Sequence, residues 1–386
     1  MNIKGFLPWD YGIRNVGRRP LASLFVIFGA AGVVGLVLVM GAFVQSLSYS
    51  LQDTGNPNNI IVLGAGSENS LEQSAIAANI PQIMSASVNN IEKRGEVSSI
   101  SPEVYMAAMI GVNSNKHLAI LRGVTPTALT VHWQVAVIAG TYPTTGEVLV
   151  GRLAHTKLGV AKEELNIGNT LEIEGRKWRI SGEFAAPGTA LEAEMWLPLS
   201  EMMTQIKRDT LSCAVVTLKP NSDFGELELF TKTRIDLAIS AIRETDYYGE
   251  LMKYYRPVRV LGWMMAILIA IGGLLGGLNT MYGAIQGRAK ELAALETIGF
   301  SRTRILISLL QEFLLLTITG TLIASLLAIS VIDGMSIRFT MGAFTLRIDG
   351  IVLTIGLMVG LLLGILGVLL PASQLLRRPL VEALRS

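Results

Sequence analysis

Four stretches of this chain are nearly empty of charge, and each is long enough to cross a bilayer. Residues 20–52, 260–287 and 350–376 hold no Asp, Glu, Lys or Arg, and residues 305–332 hold one, Glu312. A helical span needs about 20 apolar residues, and a charge at its centre costs about 2.5–3.5 kcal/mol. Four transmembrane helices follow. With 51% hydrophobic and 16% charged residues, a wholly water-borne chain is excluded. The first run follows Arg18–Arg19, yet it exceeds a signal-peptide core and lacks a small-x-small cleavage site, so it reads as a retained anchor.

Basic residues orient the spans. Lys4, Arg14, Arg18 and Arg19 precede the first, Arg288, Lys290, Arg302 and Arg304 separate the second from the third, and Arg377, Arg378 and Arg385 follow the fourth. The long segment 53–259 has 19 basic and 23 acidic residues. The positive-inside rule puts both termini and the 286–304 loop in the cytoplasm and the large segment outside. The expected order is a cytoplasmic amphipathic helix 1–19, spans at 20–46, 258–285, 305–332 and 350–374, and an outer domain with helical stalks at 47–257. A cytoplasmic helix 286–304, a short outer loop 333–349 and a cytoplasmic tail 375–386 complete it. The fold class is membrane α-helical, with a large mixed α/β extracytoplasmic domain inserted between helices 1 and 2.

Within that domain, 59–63, 104–110, 118–124 and 214–218 read as strands from their β-branched and apolar content. Residues 169–184 alternate and turn at Glu174–Gly175 as a hairpin does. Segments 151–159 and 199–208 read as short helices, the first closing on Gly159. Segment 64–95 reads as a polar helix with loops.

Nothing in the sequence argues for catalysis. His117, His132 and His155 lack metal-pair spacing, lone Cys213 excludes an intrachain disulfide, and there is no Gly-x-Ser-x-Gly elbow. Carboxylate pairs Glu163–Glu164 and Glu192/Glu194 read as solvated faces. No Gly-x-x-x-x-Gly-Lys-Ser/Thr loop is present, so no nucleotide cofactor is expected on this chain, and energy for any work comes from another chain or from an ion gradient. Lipid is an expected partner and nucleic acid is not.

Glu312 lies eight residues beyond Arg304, roughly 12 Å along a helix. Pairing with an arginine or snorkelling to the interface explains it more simply than proton coupling. Gly272/Gly276 and Gly356/Gly360/Gly364 recur at four-residue spacing, as tightly packed membrane helices require. Tyr247, Tyr248, Leu251, Tyr254 and Tyr255 form an apolar stripe, either a stalk running unbroken into the second span or an interfacial aromatic belt. Pro257 marks where that stalk can kink.

Between the second and third spans, Ala289, Leu292, Leu295 and Ile298 recur at helical spacing, Gly299 suits a left-handed C-cap, and Ser301 suits an N-cap for the next helix. This short amphipathic helix could lie on lipid or present a face to a cytoplasmic partner, and spacing alone does not separate the two.

Residues 247–316 resemble the FtsX-like permease domain of the MacB/LolC/LolE group of ABC transporters. Their core, "RAKELAALETIGFSR" from Arg288 to Arg302, carries the most recognisable pattern, followed by a glutamate early in the third span, here Glu312. Residues 8–21 resemble the family's amphipathic N-terminal helix, and "GEVLVGRLAHTKLG" with "IGNTLEIEGRKWRISGEF" is similar to its periplasmic core domain. The resemblance implies that the helix at 288–300 is a coupling helix docked on a separate cytoplasmic ATPase. Arg288, Glu291, Leu292, Leu295, Glu296, Ile298, Gly299 and Ser301 would form that handle, with the leucines and Ile298 as apolar contacts. It further implies two ATPase copies, a second permease as homo- or heterodimer, and a periplasmic adaptor or carrier. ATP-driven closure would move the stalks and reshape the outer domain to export or extract a substrate from the periplasm or outer leaflet. Release of lipoproteins or lipids by the same machinery is one alternative, and non-transporting control of an envelope enzyme is another. Three departures from relatives narrow the type. MacB-type chains carry a fused ATPase domain that this sequence lacks, the outer domain exceeds that of cell-division FtsX, and four spans exclude the ten-span permeases.

Overall fold

The apolar runs form the long helices expected of them. In the computed structural model, which describes residues 20–113, 115–339 and 342–376, helix α1 runs Pro20–Gln52. After the large segment come α2 (Glu244–Tyr254), α3 (Arg256–Gln286), α4 (Ala289–Thr297), α5 (Arg302–Leu327) and α6 (Gly350–Leu376). A π-helical turn, Ala328–Ile332, extends α5. Helices α1, α3, α5 with its π turn, and α6 are each long and apolar enough to span a membrane. The expected helix at 1–19 and the tail from 377 lie outside the described residues.

The chain divides into two compact units. One is Ser46–Arg256 with Ser336–Thr345, and the other holds the remaining described residues. The first unit is α/β. Its strands are β1 (Asn59–Gly64), β2 (Ile100–Val112), β3 (Asn115–Val124), β4 (Ala136–Gly140), β5 (Glu147–Gly151), β6 (Thr170–Ile173), β7 (Arg176–Ala185), β8 (Met195–Pro198), β9 (Cys213–Thr217) and β10 (Ile239–Arg243). They hydrogen-bond in the order β10-β1-β9-β2-β3-β8-β5-β7-β4, and β6 pairs with both β7 and β2. That double pairing closes β2, β3, β8, β5, β7 and β6 into a ring, which removes two edges. Trp178, Ile110, Leu121, Val148, Val150 and Ile180 fill the interior. The β6–β7 turn places Glu174 at φ +48° and Gly175 at φ +78°, the left-handed pair that a two-residue hairpin requires.

One sequence expectation needs correction here. The stalk does not run unbroken into the second span: α2 ends at Tyr254, Tyr255 leaves helical geometry at φ −89°, ψ 0°, and α3 starts at Arg256. Tyr254 is exposed, while Tyr247 and Tyr248 pack with Leu63, Val215 and Cys213 inside the α/β unit, so the stripe is core rather than an aromatic belt. The segment 333–349, read as a short outer loop, carries two short strands. It folds into β11 (Ser336–Phe339) and β12 (Gly342–Thr345), which belong to the α/β unit. Ala343 packs with Leu153 and Ala193, and the Phe339 ring meets Tyr255 edge-on at 4.8 Å.

In the membrane unit, glycines mark where helices touch. A Cβ on Gly356 would meet Leu38 of α1, and one on Gly360 or Gly364 would collide with Thr321 or Thr317 of α5. Gly273 takes a similarly close approach from Val33. The spacing of Gly272 and Gly276 suits packing within one chain or across a dimer, and among the described residues no atom beyond their own helix backbone lies within 4 Å of a Cβ built on either.

Candidate functional site

Helix α4 is fixed at both ends by its own residues. At its start Arg288 occupies the N-cap position and is only 4% exposed. Its Nη1 donates to Glu312 Oε2 at 2.8 Å and Oε1 at 3.1 Å, and its Nε donates to Glu291 at 3.3 Å. Glu312 is 9% exposed. A buried charge of either sign would be costly alone, and each offsets the other through charge-assisted hydrogen bonds. The intramembrane carboxylate is thus an ion-pair partner that ties α5 to the base of α4.

At the other end, Gly299 adopts φ +106°, where a side chain would be strained. Phe300 N–H donates to Leu295 O and Gly299 N–H to Glu296 O, both at 3.1 Å, the paired bonds of a Schellman cap. Phe300 and Leu295 pack on the same cluster, supplying the hydrophobic contact of that motif. Ser301 occupies the N-cap of α5 with extended backbone, but its side chain makes no capping bond. Across the turn Arg302 Nε donates to Glu296 Oε1 at 2.6 Å.

These contacts reverse part of the expected docking face. Leu292, only 3% exposed, packs with Met281, Ile285, Ile305 and Leu309, and Leu295 sits half-buried beside them. Both leucines hold α4 against its own chain, so neither is an outward contact. Glu291 and Glu296 are half-buried and engaged with Arg288 and Arg302. The outward face is Lys290, Ala294, Thr297 and Ile298, with Ile298 62% exposed. Lys290, Ala294 and Thr297 were missed because the apolar periodicity marks the inner face. The complementary positions at i, i+4 and i+7 were the available signal.

A second concentration of charge lies inside the α/β unit. Arg122 on β3 donates through Nε and Nη2 to Glu194 at 2.7 and 2.6 Å, and through Nη1 to Glu103 of β2 at 2.5 Å. His132 Nε2 lies 2.7 Å from the other Glu103 oxygen, and its Nδ1 lies 3.9 Å from Glu244, the first residue of α2. Glu244 accepts from the Asn56 N–H and the Asn59 amide, and Trp196 donates to Glu194. Burial opposes ionisation of Glu103, but His132 and Arg122 outweigh it and hold the carboxyl at about 2. Burial also disfavours a charged His132, and Glu103 with Glu244 overcomes that to raise its pKa. Burial moves Glu244 upward and Cys213 well upward.

This cluster was not foreseen. Glu192 and Glu194 are buried rather than solvated, Glu192 lying 2.9 Å from Arg152. A charge within an apolar strand run, as in "LAILRGV" with Arg122, was the signal. Among the described residues, no three His, Cys, Asp or Glu side chains are arranged to hold a metal ion.

The MacB-like periplasmic core domain family matches residues 21–228, over half of the chain, and the FtsX-like permease C-terminal family matches residues 263–380. Among solved structures, the periplasmic region of MacB from Actinobacillus actinomycetemcomitans is 12% identical, covers 52% of this chain and 94% of its own, and has a TM-score of 0.39. The extracellular domain of the noncanonic ABC-type transporter YknZ from Gram-positive bacteria is 13% identical, with coverages of 48% and 100% and a TM-score of 0.37. A domain of a putative permease protein from Porphyromonas gingivalis is 16% identical, with coverages of 48% and 88% and a TM-score of 0.34. No curated protein is similar enough to match. Four apolar helices around an inserted α/β domain of this family make a multi-pass inner-membrane protein. The chain therefore belongs to the FtsX-like permeases of the MacB/LolC type, the ABC-transporter permeases that carry a MacB-like periplasmic core domain.

Proposed function

We propose that this chain is the permease subunit through which a separate cytoplasmic ATPase moves the α/β domain, driving export or extraction of a substrate from the periplasm or outer leaflet. The observation that carries the reading is the construction of α4. A short helix between two spans, buried on one face, clamped by Arg288–Glu312 and closed by Gly299, is a rigid lever with a free face at Lys290, Ala294, Thr297 and Ile298. In this reading both termini and α4 are cytoplasmic, Mg-ATP binds the partner, and two permeases work with two ATPases. The chain passes between its units at residues 45–46, 256–257, 335–336 and 345–346, so displacement of the spans has four covalent routes into the α/β domain.

Detergent purification from native cells with the tagged chain tests the reading. Ala294→Asp and Ile298→Asp, both on the outward face, should lower ATPase recovery about ten-fold, as loss of an interface anchor does, with yield of the permease unchanged. Full ATPase recovery with both variants overturns the lever assignment.

A further inference from the structure

The α/β unit contains a cavity of about 140 Å³, close to the size that holds a benzene ring in a protein interior. Its lining is unusual in composition. Four tyrosines contribute, Tyr105 from β2, Tyr247 and Tyr248 from α2, and Tyr255 just beyond it. Tyr247 and Tyr248 meet at right angles with centroids 5.4 Å apart, which makes a corner of two ring planes. Tyr248 is only 7% exposed, lines the cavity, and its hydroxyl has no hydrogen-bond partner among the described residues. A hydroxyl on a mostly buried side chain that the cavity's open space reaches is a contact available to an occupant.

The charge of the lining is lopsided. Glu194 forms part of the wall and Glu72, exposed, stands at the rim, against a single cation, Arg122. That guanidinium is engaged, its Nε and Nη2 on Glu194, its Nη1 on Glu103 and its plane over the Tyr105 ring at 5.0 Å. Glu103 and Glu244 lie behind the wall and add negative potential, which His132 offsets in part. Aromatic faces with an excess of carboxylate favour a desolvated organic cation, since the ring quadrupole and the carboxylates act with the same sign. An anion meets repulsion from Glu72 and Glu194 and finds Arg122 already taken.

We propose that this cavity binds an organic ammonium group, with Tyr247 and Tyr248 as aromatic walls, the Tyr248 hydroxyl as a polar contact and Glu72 as the rim carboxylate. The site is independent of ATPase coupling. Its place is suggestive for the same machine, because Leu51 near the end of α1 and Leu251 of α2 line it together. An occupant contacts α1 and α2, which adjoin two of the four passages out of the α/β unit.

The test uses the full chain in detergent and two probes, choline and its neutral isostere 3,3-dimethylbutan-1-ol, titrated by isothermal calorimetry. Choline should bind saturably and at least about five-fold tighter than the alcohol, the scale of a partly desolvated cation–π contact. Glu72→Gln, on an exposed residue that leaves the fold intact, should shrink that ratio, while Tyr248→Phe should weaken both probes. Equal binding of the two probes, unchanged choline affinity in Glu72→Gln, or no choline binding up to tens of millimolar would overturn the proposal. A short-chain choline lipid below its micellar concentration separates two sources of the group. Displacement of choline assigns the head of an amphiphile, and failure to displace assigns a free solute.

Discussion

His132 lies between the carboxylates of Glu103 and Glu244 with Arg122 beyond, and the two carboxylates hold its proton to higher pH than an ordinary histidine keeps one. The two stabilising shifts have opposite pH limits. Glu103 ionises far below its ordinary 4.5, so the stability that it contributes is present above about 4.5 and is lost as pH falls toward 2. His132 holds its proton above the ordinary 6.5, so its contribution is complete below 6.5 and disappears as pH rises through the elevated value. Wild-type protein should therefore melt at lower temperature at pH 9 than at pH 6, followed by fluorescence of Trp196, which is bonded to Glu194. His132→Gln should be clearly destabilised at pH 5 to 6, and its gap to wild type should narrow as pH rises above 6.5. A gap that stays constant over that range would mean that folding leaves the His132 titration unshifted.

Helix contacts in the membrane unit divide the glycines that the sequence treats alike. Gly360 lies against the Thr321 side chain so closely that any Cβ must push its hydroxyl aside, and overpacking of this kind costs about 1–3 kcal/mol. Gly360→Val should lower the yield and melting temperature of monodisperse protein, whereas Gly276→Val should leave the single chain's fold intact, because nothing lies near a Cβ there. Size-exclusion chromatography after a heat step distinguishes them, and equal loss in both variants would refute the division. Spacing revealed that these helices carry small residues, and it located the spans, because period and charge are local properties. Which face a glycine turns toward a neighbour depends on helix rotation, which no local pattern encodes. The same reason hid the true sense of α4. Leu292 and Leu295 read as an outward stripe only while the chain around them is ignored, and Met281 and Ile305 turn that stripe inward. Arg122 and Glu194 meet across 72 positions of sequence, so their pairing was invisible although each lies in a legible strand or beside one.

The α/β domain is assembled from two separate parts of the chain, and the later part is small. Hairpin β11–β12 returns from between α5 and α6 and is seated by Ala343 against Leu153 and Ala193, with Lys157 donating to Phe339 O at 3.4 Å. A segment of ten residues cannot bury a core of its own, so it keeps its shape by joining the larger one. If motion of the spans reaches the α/β domain through the chain, α5 and α6 act on it through this hairpin as α1 and α3 act through their own connections. The hairpin should then move with the domain rather than slide over it. A Cβ on Gly342 would stand 3.7 Å from that of Ala193, within the 3.5–4.5 Å range that a disulfide spans, and Gly342 has no positive φ to forbid a side chain. Ala193→Cys with Gly342→Cys should cross-link on mild oxidation, read as a mobility shift on a non-reducing gel, while native Cys213 stays buried and unreactive. The oxidised protein, reconstituted with its ATPase, should hydrolyse ATP and respond to substrate within about two-fold of the reduced form, a difference below 0.5 kcal/mol. Cross-linking that abolishes the response would show that the hairpin must separate from Ala193 during the cycle, making β11–β12 a moving contact instead of a fixed one.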